Sequence, residues 1–244
     1  MGELKAVVLA AGKGTRLASE LSDVPKVMRL ANGRPLLEYV LESIDFVGRG
    51  QVILVVGYKR EKVLAAFPDC RCVVQEPQLG TGHAAACAAP LLEGFSGDVL
   101  ICYGDMPLLR RETYEALYAQ HQAQGNDCTV LSGRYEEELA YGRIVRDADG
   151  RFLRIVEQRD CDEREREIRE YNSGVYVFKA PALLRALRGL NCDNAQGEYY
   201  LTDAPAIIRE SGGKVGLCER RLGDELIGVN TPEQLRQVEQ LLTR

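Results

Sequence analysis

Short runs that are apolar on both faces alternate along this chain with longer runs that are apolar on one face only. "LKAVVLA" (residues 4–10) and "QVILVVG" (residues 51–57) carry almost no polar alternation. A strand of that kind has to be covered on both sides, which a parallel sheet sandwiched by helices provides. "CRCVVQE" (70–76), "DVLICYGD" (98–105) and "DCTVLSG" (127–133) read as further strands. Helical stretches fall between them. "PLLEYVLESI" (35–44) opens on proline and carries an apolar stripe. "TGHAAACAAPLLE" (81–93) is alanine-rich, and "RRETYEALYAQHQAQG" (110–125) closes on glycine.

After Gly133 the rhythm changes. "YGRIVRDADGRFLRIVEQ" (141–158) alternates about a D-A-D-G turn and predicts a hairpin. A strand at "NSGVYVFKA" (172–180), a helix at "LTDAPAIIRESGG" (201–213) and a strand at "KVGLCER" (214–220) follow. A closing helix spans 231–242, with Thr231 as cap, Pro232 at its first position and Glu233 behind. The charge run "RDCDEREREIRE" (159–170) has acids and bases three and four apart, which predicts a solvated helix with no catalytic role. With no internal repeat and no long linker, the expectation is one domain over 1–244. Its nucleotide-binding lobe would run to about 133 and a substrate lobe, with the hairpin insertions, over about 134–230.

Composition narrows the partners. A formal net charge of -5 argues against nonspecific nucleic-acid binding, which needs a basic field. There are 8 cysteines and no C-x-x-C pair, so reduced, mostly buried thiols are expected. His83 and His121 are the only histidines, too few for a histidine-based metal cluster. No secretory segment or membrane span is apparent, so a cytoplasmic location is expected.

The chemistry concentrates after the first strand, in "AAGKGTRLASELSDVPK" (10–26). Gly12 and Gly14 let backbone N–H groups approach a phosphate, and Lys13, Arg16 and Lys26 supply positive charge. The Walker loop fails on spacing, because Gly14 follows Lys13. The dinucleotide fingerprint fails because Leu17 takes its last glycine position. A carboxylate at Asp105, on the carboxyl end of a strand, suits Mg²⁺.

These residues stand in a longer series: "QLGTGHA" at 78–84, "YGDMPLL" at 103–109, "YGRIV" at 141–145, "IVEQRD" at 155–160, "EYNSGVYVF" at 170–178, "NAQGEYYLTD" at 194–203 and "GVNTPEQL" at 228–235. In this order they resemble the sugar-1-phosphate nucleotidyltransferases. The closer match is the pyrophosphorylase domain of the bacterial N-acetylglucosamine-1-phosphate uridylyltransferases. The resemblance covers nearly the whole chain. It implies a Rossmann-like, glycosyltransferase-A-like α/β fold whose mixed, mostly parallel sheet has helices on both faces. It also implies transfer of UMP from UTP to N-acetylglucosamine 1-phosphate, with release of pyrophosphate.

Carried over residue by residue, the resemblance places the nucleotide against Ala10, Ala11, Gly12, Gly14, Gln75, Gly80 and Thr81. Gln75 and Gly80 would bind uracil. Tyr103, Gly142, Glu157 and Asn172 would line the sugar site, with Tyr199 and Thr202 reaching the N-acetyl group. Asp105 and Asn230 would hold Mg²⁺. Arg16 would neutralise the leaving pyrophosphate and Lys26 would hold the attacking and transferred phosphates. His83 is not assigned a role, since the sugar phosphate is itself the nucleophile.

Two departures stand out. The link from Arg16 to Lys26 is longer than the family's usual spacing. The hexapeptide period of the bifunctional form is not found, so acetyl transfer is not expected, and a monomer or weak homo-oligomer is. A glucose 1-phosphate acceptor, a dTTP donor, or a catalytically silent module of the same fold remain alternatives.

Overall fold

The computed structural model describes residues 3–14 and 24–243. Its elements run in the order β1 (Leu4–Ala10), β2 (Leu30–Ala31), β3 (Arg34–Pro35), α1 (Leu36–Ser43), β4 (Val52–Val56), α2 (Arg60–Ala66), β5 (Arg71–Val74), α3 (Thr81–Cys87) and β6 (Asp98–Tyr103). They continue with α4 (Arg111–Gln124), β7 (Cys128–Arg134), β8 (Arg143–Arg146), β9 (Phe152–Val156), α5 (Glu163–Arg166), β10 (Glu170–Lys179), α6 (Ala180–Gly189), α7 (Ala204–Glu210), β11 (Val215–Arg220) and α8 (Pro232–Leu241).

The main sheet has the order β11-β7-β10-β6-β1-β4-β5, with the β8–β9 hairpin attached through β8 to β10. Neighbours are parallel except β10, which runs antiparallel to both β6 and β7. The mixed, mostly parallel sheet expected from the sequence is what forms.

Alternate residues of the central strands divide between two cores, as period-two side chains must. Ala6, Val8 and Ala10 of β1 pack with Leu37 and Leu41 of α1, Val63 of α2 and Tyr114 and Leu117 of α4. Val7, Leu9 and Ala11 face the other way, onto Ala84 and Ala85 of α3, Leu183 and Ala186 of α6 and Ile208 of α7. This is why residues 6–10 of β1 and the whole of β4 are apolar: both faces are covered there.

The charge-run helix is shorter than expected. Only Glu163–Arg166 is helical, stopped because Glu170 already enters β10. Its Asp162–Glu165 capping box supports a single turn, and Glu165 is buried rather than solvated. All of the cysteines are free thiols, and Cys70, Cys102, Cys128, Cys161 and Cys218 are buried.

The chain order reverses beside β1: it steps outward to β4 and β5, then returns to β6 on the other flank. Ligands of open α/β sheets bind at the carboxyl ends of strands where this reversal occurs. Gly12 follows β1 there and Asp105 follows β6.

Candidate active site

At that reversal lies a cavity of about 410 Å³ lined by Ala10, Ala11 and Gly12 behind β1, Lys26, Gln75, Gln78, Gly80 and Thr81, and Tyr103, Asp105, Glu198 and Asn230. A Cβ on Gly12 would meet nothing within 4 Å, so its backbone faces open cavity space. Gly14 has φ +67° but does not line the cavity. Arg16, expected to face pyrophosphate, lies outside the described residues, as does most of the long link to Lys26.

The Gln75–Thr81 segment is held from two sides. Gln75 is buried, and its amide donates to the Gly80 carbonyl at 2.9 Å and lies 3.3 Å from His83 Nδ1. Gln78 donates to the Ala11 carbonyl, which ties this segment to the turn after β1. Gly80 takes φ +107°, and a Cβ there would come 2.6 Å from the Tyr199 carbonyl, so glycine is needed on both counts.

A second cavity, about 240 Å³, adjoins the first. Its walls include Gly142, Glu157, Asn172, Tyr200 and Thr202. Strand register assembles them. Arg143 of β8 pairs with Val156 of β9 and with Tyr171 of β10, so Gly142, Glu157 and Asn172 sit beside one another at three strand ends. The Asn172 N–H donates to the Gly142 carbonyl at 2.8 Å. Because β10 is antiparallel, its early residue Asn172 reaches the end of the sheet where β6 delivers Tyr103. The β10 pairing is irregular between Asn172 and Tyr176, and at Gly174 (φ +80°) a Cβ would collide with the Tyr103 ring.

Thr202 donates to Glu157 Oε1 at 3.0 Å. Burial pushes the Glu157 carboxyl above its usual range, and the Thr202 bond pulls it partly back. Burial likewise raises the Tyr103 phenol, which therefore stays a neutral donor. Tyr199 is placed differently from expectation. Its backbone does the work: its N–H donates to Leu79 O at 2.9 Å, and its carbonyl accepts from Gly82 at 2.7 Å. Tyr200, one residue on, lines the smaller cavity instead. Side chains alternate along this extended stretch, so a one-residue offset changes which one faces inward.

The two cavities share Thr81, Tyr103, Asp105, Glu198 and Asn230. Asn230 reaches this seam through the backbone, because the Val229 N–H donates to the Asp105 carbonyl at 2.9 Å. Tyr141 steadies the approach, donating to Leu226 O at 2.9 Å and accepting from the Gly228 N–H at 3.2 Å. Lys26 Nζ bridges the pair, contacting Asp105 Oδ2 and donating to Asn230 Oδ1 at 2.7 Å. A carboxylate and an amide oxygen are hard donors suited to a divalent cation. Among the described residues, no group of three or more His, Cys, Asp or Glu gathers to hold a metal. Two protein oxygens would leave the remaining positions to phosphates and water, as Mg²⁺ is held beside nucleotides.

Gln78, Gln196, Glu198 and Tyr200 line the site without having been expected there. Gln196, Glu198 and Tyr200 lie inside the quoted "NAQGEYYLTD", and Gln78 opens "QLGTGHA". A larger cavity, about 940 Å³, sits at the opposite, amino-terminal end of β1 against Leu4, Phe46, Phe95 and Tyr118, and contains none of these motifs.

Residues 6–204 match the MobA-like NTP transferase domain. The chain belongs to the MobA-like NTP transferase family. Relatives are similar over essentially all of it. The Bifunctional protein GlmU of Pelobacter propionicus is 46% identical over 100% of this chain and 53% of its own length. That of Caldanaerobacter subterraneus is 43% identical over 100% of this chain and 52% of the relative. The Streptococcus equi protein of the same name is 43% identical over 97% and 51%. The chain thus spans about half the length of these relatives. Its fold is similar to the crystal structure of a protein assigned as a glucose-1-phosphate thymidylyltransferase from Bacillus anthracis, determined with sucrose. That similarity has a TM-score of 0.75 at 15% identity, covering 98% of this chain and 94% of the other.

Proposed function

We propose that this chain transfers UMP from UTP to N-acetyl-α-D-glucosamine 1-phosphate, giving UDP-N-acetylglucosamine and pyrophosphate. The observation that carries the reading is the pair of adjoining cavities with Asp105 and Asn230 at their seam. A nucleotide in the larger and a sugar phosphate in the smaller would bring their reacting groups together there. Kinship with the GlmU proteins, and the motifs that tie the chain to the uridylyltransferases, support uracil as the base and N-acetylglucosamine as the sugar. We read residues 1–133 and about 134–230 as the nucleotide and sugar lobes of one domain.

A phosphate oxygen of the sugar phosphate attacks the α-phosphorus of UTP in line. The bond from α-phosphorus to the bridging oxygen breaks, and pyrophosphate leaves with the electron pair. The attacking phosphate is already ionised near neutral pH, so the protein's task is positioning and charge stabilisation rather than base catalysis. Ala10–Gly12 and Gly80–Thr81 hold the nucleotide, and Gln75 reads the base edge. Glu157 and Asn172 take the sugar hydroxyls. Lys26 and Arg16 supply positive charge to the transferred and leaving groups. Asp105 and Asn230 would hold Mg²⁺, which when bound neutralises charge on the reacting phosphates.

The test measures pyrophosphate release with UTP or dTTP against N-acetylglucosamine 1-phosphate or glucose 1-phosphate. A preference of about tenfold or more in kcat/KM for UTP with the N-acetylated sugar is expected, the size one or two specific pocket contacts produce. An equal preference for glucose 1-phosphate or dTTP would overturn that substrate. Folded protein with no product from any pair would favour a silent module. Among the described residues, no helix is long and apolar enough to cross a membrane.

A further inference from the structure

Lys26 occupies a place that the proposed reaction needs for something else. Its ammonium contacts Asp105 Oδ2 and donates to Asn230 Oδ1 at 2.7 Å, bridging the same two side chains that offer the hard oxygen pair. Both Lys26 and Asp105 side chains are mostly buried, at 12% and 18% exposure, so solvent screens the contact weakly. Nothing in the described backbone forces the bridge: Lys26 opens a short turn that follows Pro25, and its long side chain has other rotamers.

We infer that Lys26 is a built-in counter-ion that keeps the metal seat closed until a nucleotide arrives. Mg²⁺ bonds its oxygen ligands at about 2.0–2.1 Å, so a metal on these two oxygens would lie against the ammonium. The two like charges repel strongly at that separation in a partly buried site. The seat therefore holds one cation at a time. A nucleotide changes the balance because its phosphates offer the lysine a new anionic partner in the adjoining cavity. Lys26 then releases Asp105 and Asn230 to the metal and turns to the phosphates. By linkage, whatever favours one of these two binding events favours the other to the same degree. The protein thereby binds metal weakly when no phosphate is present to use it.

This inference rests on the reading of Asp105 and Asn230 as the metal seat, but its test needs no turnover. Mn²⁺ serves as the paramagnetic probe, and its binding to the folded chain is titrated by electron paramagnetic resonance without nucleotide. Wild type is compared with Lys26→Met, which keeps the length and removes the charge. Lys26→Met should bind Mn²⁺ at least about tenfold more tightly than wild type. The gain should vanish when Asp105→Asn is added. Equal or weaker binding by Lys26→Met, a gain that survives Asp105→Asn, or no binding to either protein overturns the inference. A second readout uses wild-type side chains at the lysine. Amine labelling of Lys26, followed by mass spectrometry, should be severalfold faster in Asn230→Ala than in wild type, and unchanged labelling counts against the bridge. If wild type makes the nucleotide sugar while the Mn²⁺ result fails, the inference falls and the proposed function stands.

Discussion

Glu157 is the site residue whose environment departs most from that of an ordinary carboxylate. It is held in a cavity wall that disfavours its charge, with the Thr202 hydroxyl donating to it. A carboxylate kept there against its own solvation fits a partner that arrives with hydroxyl groups. Burial raises its folded pKa above the ordinary 4.5. The stability this group contributes is therefore present at low pH and is lost as pH rises through the shifted value. Glu157→Gln should melt at a higher temperature than wild type at pH 7.5, and the difference should close as the pH approaches 4.5. The same variant should raise KM for the sugar phosphate more than for UTP. Calorimetry across pH and steady-state kinetics check the two halves, and a lower melting temperature at neutral pH would falsify the burial argument. Asp105→Asn should shift the Mg²⁺ dependence of turnover to higher concentration by about tenfold or more, since it removes a full charge from the seat. An unaltered Mg²⁺ titration would count against the assignment.

Among elements, the segments that close the site matter more than the helices that cover the sheet. Residues 79–82 and 199–201 are zipped by two backbone bonds, Tyr199 N–H to Leu79 O and Gly82 N–H to Tyr199 O, and by the Leu201 N–H donating to Thr81 Oγ1 at 3.0 Å. Gly80→Ala inserts a Cβ at 2.6 Å from the Tyr199 carbonyl and in a left-handed conformation, so it should cost roughly 1–3 kcal/mol. Since the zipper joins the walls of both cavities, KM for both substrates should rise together; a change confined to UTP would mean that the zipper is only a local strut. The amino end of α8 is the other such element. Gln234 Oε1 accepts from the Thr231 N–H at 3.0 Å and from the Asn230 N–H at 2.7 Å, so the helix cap also fixes the residue beside Asp105. Gln234→Ala should cost about 1 kcal/mol of stability. It should also raise the Mg²⁺ needed for half-maximal rate, although Gln234 touches no substrate cavity. Denaturant melts and a Mg²⁺ titration of the rate separate these effects.

At the scale of the molecule, the site depends on how distant parts of the chain return to one sheet end. A small third core of Ala31, Leu36, Val229 and Val238 pins α8 against the start of α1 and the short β2–β3 hairpin. Leu36→Ala should cost about 2–5 kcal/mol, because its side chain is fully enclosed. Asn230 follows Val229 directly, so any loosening of this core should appear as weaker metal dependence before unfolding is complete. Activity and melting curves that fall in strict parallel would argue that the core serves stability alone.

The sequence by itself determined the layered architecture, because apolar runs such as residues 51–57 tolerate no uncovered face. It also carried the hairpin about Gly150 and the capped start of α8, since those are local patterns of turn and cap, and its motifs named Ala10, Ala11, Gly12, Gln75, Gly80 and Thr81, which the fold gathers on one cavity. The Asn32–Gly33 turn of β2–β3, with φ +50° and +81°, is as local a pattern but was not read from the sequence. The tertiary structure alone decided which of Tyr199 and Tyr200 faces inward, how little of the 159–170 run is helical, and that Lys26 bridges Asp105 and Asn230. The first and the last of these are settled by neighbours far away in the chain. The loop at 199–201 takes its register from residues 79–82, the charge run yields to the antiparallel strand β10, and Lys26 finds Asn230 across a separation of 204 residues. Local chemistry writes elements into a sequence; the meeting of their ends is a property of packing.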